Sequence, residues 1–166
     1  PRNKLKIFRM KKLYKVKKSN IDKNGLYAAK DIKAGTRIIE YVGKIISKKE
    51  TERNDKFDNG KDIYLFNLNN KFDLDGDFKW NTARLVNHSC DPNCEVEGKG
   101  LKIWVTSIRD IRKGEELSYD YGFGYDKDYK QFPCKCGSDR CCGYIVREGS
   151  RWRINKKYKK YNIINK

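Results

Sequence analysis

Residues Asn87–Cys94 read Asn-His-Ser-Cys-Asp-Pro-Asn-Cys, and this stretch holds the single histidine of the chain. It also holds two of the six cysteines, and the other four follow nearer the C-terminal end, at Cys134, Cys136, Cys141 and Cys142. With one histidine available, a metal site must use mainly thiolate ligands, and mechanisms built on histidine pairs are excluded. The Asn87–Cys94 stretch and the cysteine-rich segment are therefore candidate parts of one site.

The chain has 166 residues, of which 37% are hydrophobic and 37% are charged. This length fits one domain that buries most of its apolar surface without disulfide bonds. No apolar run approaches the ~20 residues of a membrane span, and no secretory leader is recognisable, so we expect an intracellular protein with no membrane partner. Reduced thiols in that compartment favour metal ligation over disulfides.

The net charge of +17 is concentrated in two basic arms. Residues 1–18 carry nine Lys or Arg and no acid, and residues 147–166 carry eight against Glu148 alone, which leaves the body nearly neutral. Such arms can contact the phosphates of DNA or of a nucleosome, with an affinity that falls as salt rises. They can equally be solubilising ends, since a charge run alone is weak evidence for a partner.

Short β-branched or aromatic runs between turn residues predict strands along the body. They lie at residues 26–29, 36–42, 63–68, 73–76, 101–108 and 116–121. Residues 47–56 are the best helix candidate, with Ser47 as the N-cap and Glu50 at the capping-box position, and their polarity predicts a surface location. No strand–helix–strand series with a glycine-rich turn occurs, which argues against a doubly wound nucleotide-binding fold.

Six sequence blocks occur in the order typical of one family. They are Asn24–Ala28, Glu40–Gly43, Tyr64–Phe66, Ala83–Cys90, Gly114–Gly122 and the spacing Cys134-x-Cys136-x4-Cys141. Together they are highly specific, and the chain resembles the SET-domain protein lysine methyltransferases over about residues 19–146. The resemblance implies a mostly β SET (β-clip) fold, with several small sheets around a pseudoknot and a C-terminal post-SET segment that binds zinc. The stretches 75–76 and 80–84 are most similar to short microbial or viral members.

The resemblance divides the chain into four parts. These are a basic N-terminal arm (1–18), a SET domain (19–126), a post-SET zinc segment (127–148) and a basic C-terminal tail (149–166). Residues 1–89 contain no cysteine, so we expect no cysteine-rich module before the SET-like body. This departs from histone methyltransferases that have zinc-bearing pre-SET regions.

SET-domain enzymes move a methyl group from S-adenosylmethionine to a lysine amine by in-line displacement. The protein must desolvate the lysine, keep the amine neutral and aim its lone pair at the sulfonium. Tyrosines suit this task because their rings wall a narrow channel and their hydroxyls orient the amine. The resemblance implies this role for Tyr121, the central catalytic tyrosine, and for Tyr41. Tyr119 matches the position where Phe or Tyr sets the product, which implies mainly mono- and some dimethyl-lysine.

The resemblance also implies a site for S-adenosylmethionine. Asn87 and His88 match the pseudoknot segment that contacts this cofactor. Further contacts are implied for Tyr64, Arg84 and the backbone of Asn24, Gly25 and Leu26. The chain departs from its relatives at Lys23, where they have the first glycine of Gly-x-Gly, so Gly25 alone remains to let the backbone approach the ligand.

The cysteine-rich segment implies a structural zinc ion, which takes four tetrahedral ligands. Cys134 and Cys136 are too close in sequence to bridge each other comfortably, and the polar turn that follows could close ligands around a metal. The segment supplies three ligands, and in relatives the fourth is the cysteine of Asn-His-Ser-Cys. The implied set is therefore Cys90, Cys134, Cys136 and Cys141. Cys94 and Cys142 are left over, and Cys142 is the substitute if Cys90 fails.

The sequence thus predicts an S-adenosylmethionine-dependent protein-lysine N-methyltransferase. A histone tail is the leading substrate, with basic non-histone proteins behind it. Chromatin, in its own or a host nucleus, is the expected location for a histone substrate, and the cytoplasm otherwise. Two alternatives stay open: a catalytically inactive SET-like chromatin-binding module, and a small zinc-stabilised nucleic-acid-binding protein that rests on the basic arms alone.

Overall fold

Short strands dominate the fold, as the sequence predicts. The structure is a computed structural model that describes residues 12–57 and 64–158. Within those residues it contains one α-helix, α1 (Lys48–Arg53), and four 3₁₀ helices at Asp55–Phe57, Thr82–Leu85, Tyr129–Gln131 and Glu148–Arg153. The strands are β1 (Tyr14–Lys18), β2 (Asn24–Ala28), β3 (Arg37–Tyr41), β4 (Lys44–Ser47), β5 (Leu65–Asn67), β6 (Phe72–Asp75), β7 (Asn87–His88), β8 (Cys94–Lys99), β9 (Lys102–Ser107) and β10 (Ser118–Tyr119).

The described strands form four small sheets. Two are three-stranded, with the orders β3-β9-β8 and β4-β6-β5, and one is the antiparallel pair β1-β2. The fourth is the parallel pair β7-β10, in which Asn87 lies opposite Ser118 and His88 opposite Tyr119. This pairing brings the Asn-His-Ser-Cys block beside the Tyr-Asp-Tyr block, although 28 residues of chain, 91–118, separate them in sequence. The expected mostly β architecture of several small sheets is confirmed.

The local predictions hold at the centres of the elements and fail at their ends. Each predicted strand run overlaps an observed strand, but the ends differ: β3, β5, β9 and β10 are shorter than predicted, whereas β2 and β6 begin earlier and end earlier than predicted. Ser47 caps α1 as predicted, because its Oγ accepts a hydrogen bond from the Glu50 amide at 3.2 Å. The helix ends at Arg53 rather than continuing to residue 56, and none of its residues is buried. Every helix in residues 12–57 and 64–158 is too short or too polar to cross a membrane.

Two buried clusters hold the sheets together. The larger includes Leu26, Val105 and Leu117, each with no exposed surface, and Tyr119 lies at its edge. The smaller consists of Tyr41, Leu74, Ala83 and Ile103. Complete burial of a Leu or Val side chain stabilises a fold by about 1.5–3 kcal/mol, so these positions set the spacing of the sheets. Two of the predicted channel tyrosines are therefore anchored in the core.

The two basic arms are folded in part. Tyr14–Lys18 of the first arm form β1, which pairs with β2 along its whole length. In the second arm, Arg151 and Tyr158 are buried, at 2% and 5% exposure. Residues 1–11 and 159–166 of the predicted basic arms lie outside the described residues.

Candidate active site

A row of aromatic rings brings the three predicted catalytic tyrosines together. Tyr41 ends β3, Tyr119 lies on β10 and Tyr121 follows two residues later. Ring centres are separated by 4.6 Å from Tyr41 to Phe66, 6.2 Å from Phe66 to Tyr119 and 4.9 Å from Tyr119 to Tyr121. The row therefore forms one apolar wall built from three strands that are distant in sequence.

The hydroxyls of this row remain protonated. The Tyr121 hydroxyl donates to the Val86 carbonyl at 3.0 Å, and the Tyr41 hydroxyl donates to the Tyr64 carbonyl at 3.2 Å. Burial raises the pKa of Tyr41, Tyr119 and Tyr121 well above the ordinary value of 10.0, and repulsion between neighbouring phenolates adds to the effect. These groups can orient a neighbouring amine, but they are not bases at neutral pH.

Asn87 joins β7 to β2 through its side-chain amide. Its Nδ2 lies 3.2 Å from the Asn24 carbonyl, 3.1 Å from Ser19 Oγ and 2.8 Å from Glu116 Oε1. Glu116 also accepts hydrogen bonds from Ser19 Oγ at 2.7 Å and from the Tyr27 hydroxyl at 2.8 Å. Sequence reasoning missed Glu116, although it lies within the Glu-Glu-Leu block. Its carboxylate is the common acceptor that fixes the start of β2 against β7.

Gly25 is pressed against this carboxylate. A Cβ atom at this position would lie 2.2 Å from Glu116 Oε1 and 3.2 Å from Asn87 Nδ2. The sequence predicts that the Gly25 backbone closely approaches the cofactor. In this structure the close approach is to the side chains of Glu116 and Asn87. Its neighbour Leu26 turns its side chain into the core, and the Leu26 carbonyl accepts from the Leu117 amide at 2.7 Å.

The other two predicted cofactor positions lie together. The guanidinium carbon of Arg84 lies 5.6 Å from the ring centre of Tyr64, and its Nη1 lies 3.9 Å from Asp77 Oδ1. Tyr64 is also close enough to raise the pKa of each tyrosine in the aromatic row. Tyr64 therefore connects the Arg84 contact to that row.

His88 links the tyrosines to the cysteines. The ring is 2% exposed, and burial lowers its pKa to about 4, an effect that Asp120 opposes and Arg151 strengthens. The imidazole is therefore neutral at pH 7. Its Nδ1 accepts from the Tyr121 amide at 3.2 Å, which assigns the proton to Nε2. That Nε2 lies 3.6 Å from Cys90 Sγ, so it can donate to a thiolate there.

Four cysteines converge beside His88. The Sγ atoms of Cys90, Cys134, Cys136 and Cys141 all lie within 4.8 Å of one another. Two backbone amides also point at sulfur: the Cys90 N–H donates to Cys136 Sγ at 3.5 Å and the Gly143 N–H donates to Cys141 Sγ at 3.4 Å. Such donors favour thiolates over thiols. The predicted set of four is the set that the structure brings together.

The remaining two cysteines are not members of this group of four, although the Cys142 thiol lies within hydrogen-bonding reach of the Cys90 thiol. Cys94 is 1% exposed at the start of β8, and burial raises the pKa of its thiol to about 12, so it is a core side chain. Cys142 turns its sulfur toward the Tyr144 carbonyl, at 3.2 Å. Neither belongs to the group of four that could hold a metal ion.

Comparison with known proteins identifies the fold family. Residues 23–122 match the family model described as SET domain. The chain belongs to the SET-domain family. It is 42% identical over 130 residues to human histone-lysine N-methyltransferase 2D, and 38% identical over 146 residues to histone-lysine N-methyltransferase trithorax of Drosophila melanogaster. It is also 40% identical over 135 residues to the histone-lysine N-methyltransferase, H3 lysine-4 specific, of Schizosaccharomyces pombe.

These alignments cover most of this chain and a small part of each relative. They span 75%, 82% and 76% of this chain, but 2%, 4% and 14% of the human, fly and yeast proteins respectively. The chain therefore spans only a small part of each relative's length.

The cysteine cluster fits the zinc site of a post-SET segment. Four thiolates at ~2.3 Å from a tetrahedral zinc ion are ~3.8 Å apart. The Cys90 and Cys134 sulfurs are separated by 3.8 Å. The donor set therefore matches zinc in ligand type, number and spacing. The neutral His88 would stabilise the Cys90 thiolate from outside this set, a contact that commonly tunes zinc sites.

The aromatic row fits S-adenosylmethionine, the cofactor that SET-domain methyltransferases use. Its reactive group is a sulfonium cation, and cations are attracted to the faces of aromatic rings. The tyrosine hydroxyls, because they are protonated, add no negative charge that would trap a lysine in its charged form. Tyr64 and His88, two of the predicted cofactor contacts, border the same row, and Asn87 precedes His88 on β7.

Lys23, which stands where the resemblance predicts a glycine, has an unusual backbone conformation. It is the one non-glycine residue in the described part of the chain with a positive φ, 37°. A non-glycine residue in the left-handed region destabilises the folded state by about 1–2 kcal/mol. Glycine adopts this conformation without steric strain, but it loses more conformational entropy on folding.

We therefore expect Lys23→Gly to raise the free energy of unfolding by about 1 kcal/mol, measured by urea denaturation. Lys127→Gly is the matched control, because Lys127 is exposed and has no positive φ; it should be neutral or destabilising. Equal destabilisation by both changes would show that Lys23 is not strained.

Proposed function

We propose that this chain is the catalytic domain of an S-adenosylmethionine-dependent histone-lysine N-methyltransferase, with lysine 4 of histone H3 as the first substrate to test. The observation that carries the proposal is the placement of Tyr41, Tyr119 and the partly buried Tyr121 in one aromatic row beside His88. The relatives support it, since all three are named as histone-lysine methyltransferases and one as specific for H3 lysine 4. A histone substrate implies a nuclear location.

The cofactor supplies a methyl group on positively charged sulfur. The chain supplies an apolar wall that excludes water and favours the neutral form of an incoming lysine. Because the tyrosine hydroxyls are protonated donors that are held by backbone carbonyls, their oxygens are fixed and can accept from the amine. Tyr121 has the strongest support for orienting the amine, since its backbone and its hydroxyl are both bonded to the Val86–His88 segment. Tyr41 and Tyr119 complete the wall.

The direct test uses recombinant protein purified with zinc, labelled S-adenosylmethionine and a histone H3 tail peptide. Mass spectrometry should locate methyl groups on lysine 4, and a peptide with arginine at that position should remain unlabelled. Labelling of other histone lysines would keep the methyltransferase activity and change the substrate. Binding of nucleosomes with no methyl transfer to any lysine would favour the inactive chromatin-binding module.

The pH profile follows from the tyrosines. A free lysine has a pKa near 10.4, so kcat/KM should rise about tenfold per pH unit from pH 7 to 9 as the neutral amine becomes available. The tyrosine pKa values are raised above 10.0 in the folded state, so the folded protein keeps these hydroxyls protonated beyond pH 10. The stability that they contribute is fully present below the unfolded-state pKa of about 10 and is lost as the pH rises from there through the raised folded-state pKa. A decline in rate between pH 8 and 9, with the fold intact, would reveal a different essential group.

The product is expected to be mainly mono- and some dimethyl-lysine. Repeated methylation needs room for each added methyl group, and the Tyr119 hydroxyl occupies space at the edge of the core, where the residue is 6% exposed. Tyr119→Phe should therefore shift the product toward di- and trimethyl-lysine, as measured by mass spectrometry at long times with excess cofactor. Trimethyl-lysine from the unaltered protein would show that Tyr119 does not limit the channel.

Three finer expectations remain proposals. The division into a SET domain at 19–126, a post-SET segment at 127–148 and basic arms on either side is supported by the matched region and the cysteine cluster. Contact of the basic arms with DNA or nucleosomes rests on their charge. The short microbial or viral type gains no support from the relatives above.

A further inference from the structure

A buried arginine lies where the C-terminal segment crosses the active site. Arg151 belongs to the 3₁₀ helix Glu148–Arg153, beyond the region that matches the family model, and is 2% exposed. A buried guanidinium must be paired and hydrogen-bonded to be tolerated. Nε donates to the Val146 carbonyl at 2.9 Å, Nη1 donates to the Cys90 carbonyl at 2.7 Å and Nη2 donates to Asp120 Oδ2 at 2.7 Å.

The first target of Arg151 is the residue between the two channel tyrosines. Asp120 separates Tyr119 from Tyr121, and its Oδ1 accepts from the Gly122 amide at 2.9 Å. Its Oδ2 is shared by Arg151 and the Glu148 amide, the latter at 3.0 Å. One carboxylate therefore ties the end of β10 to the C-terminal segment.

The second target is the cysteine cluster. Cys90 supplies a sulfur to that cluster and its carbonyl to Arg151. The same segment reaches the cluster from the other side, where the Tyr158 hydroxyl donates to the Cys141 carbonyl at 2.5 Å. A further backbone bond, from the Arg147 amide to the Phe123 carbonyl at 2.9 Å, fixes the segment beside the aromatic row.

We propose that Arg151 is a positioning residue for methyl transfer, which joins the cysteine cluster, the Tyr119–Tyr121 turn and the C-terminal segment through one guanidinium. The inference rests on the proposed function. Arg151 acts through Asp120, which holds the backbone from which Tyr121 projects. Lysine cannot replace it, because an ammonium lacks the planar fork that reaches three acceptors at once.

The test compares Arg151→Ala and Arg151→Lys with Arg153→Ala, a control on the same 3₁₀ helix whose side chain is exposed and stacks over Tyr125 and Trp152. Arg151→Ala should lower kcat by about 10- to 100-fold with little change in the KM of the peptide, because the lost contact aligns groups rather than binds substrate. Arg151→Lys should be nearly as impaired, and Arg153→Ala should match the unaltered protein.

Chemical rescue separates positioning from general destabilisation. Methylguanidinium should restore part of the activity of Arg151→Ala, while methylammonium and sodium chloride should not. Asp120→Asn gives a second variant: its one oxygen can still accept from Arg151, but the side chain loses its charge, and its NH2 group cannot accept from the Gly122 amide. An unchanged kcat in both Arg151→Ala and Asp120→Asn, or equal recovery with methylammonium, would overturn the proposal.

Hydrogen exchange provides a readout that needs no activity. The amides of Gly122 and Glu148 both donate to Asp120, so both should exchange faster in Arg151→Ala and remain protected in Arg153→Ala. If the unaltered protein methylates no lysine, the proposed function is wrong. Hydrogen exchange still decides, without any activity, whether Arg151 fixes the Tyr119–Tyr121 turn. Unchanged exchange at both amides would overturn the proposal even in an active enzyme.

Discussion

Tyr121→Phe is expected to lower kcat by about 100- to 1,000-fold while the fold and the zinc content are retained. The change removes one hydroxyl, which donates to the Val86 carbonyl at 3.0 Å, and leaves the ring contacts with Tyr119 and His88 available. Alignment of a neutral amine with the methyl donor depends on such fixed oxygens, so their loss acts on the transition state more than on binding. Single-turnover kinetics with a peptide substrate measure the effect directly.

Tyr125→Phe is the matched control for this change. Tyr125 lies four residues further on and stacks on Tyr129 with ring centres 4.8 Å apart, outside the row that contains Tyr121. It should retain nearly full activity. If Tyr121→Phe keeps the kcat of the unaltered protein, another group orients the amine, and Tyr41 becomes the first alternative because its hydroxyl is also held by a backbone carbonyl.

The candidate site could be predicted from short blocks because its members lie within them. The cysteine-rich segment supplied three ligands, and the resemblance of the Asn-His-Ser-Cys and Tyr-Asp-Tyr blocks to SET-domain enzymes implied the fourth ligand and two tyrosines. What could not be predicted is how the blocks are joined. Glu116 accepts a hydrogen bond from Ser19, 97 residues away in sequence, and Arg151 donates one to the Cys90 carbonyl, 61 residues away. Local sequence patterns do not predict contacts between residues so far apart.

The basic composition of the two arms did not predict that parts of them are folded. Tyr14–Lys18 reads as part of a basic run, yet Tyr14 and Val16 alternate with lysines, and the segment forms β1 against β2. Its lysines and Val16 are exposed, and Tyr14 is the β1 residue that packs against the core, so the hydrogen-bonded pairing with β2 holds this strand in place. In the same way, Arg151 reads as one more positive charge of a tail, but the fold buries it against Asp120. In both segments the structure depends on a contact with a residue or strand that is distant in sequence, and the local sequence does not show that contact.

Cys90→Ser is expected to remove the bound zinc and nearly all activity. The unaltered protein should contain about one zinc ion per chain by elemental analysis. Binding of zinc to such a site contributes roughly 10–16 kcal/mol in small zinc domains, so loss of one thiolate releases the segment that carries Cys134, Cys136 and Cys141. The effect should reach the tyrosines, because the His88 ring lies between Cys90 Sγ at 3.6 Å and the Tyr121 amide at 3.2 Å.

Cys142→Ser is the control that makes this prediction specific. Cys142 adjoins the ligand Cys141 in sequence, but its sulfur turns to the Tyr144 carbonyl and it is outside the set of four. It should therefore keep one zinc ion and most of the activity. The reverse result, with zinc lost from Cys142→Ser and retained by Cys90→Ser, would make Cys142 the fourth ligand. A chelator should remove both the zinc and the activity. If protein stripped of zinc keeps full activity, the metal has no role in positioning Tyr121 through Cys90 and His88.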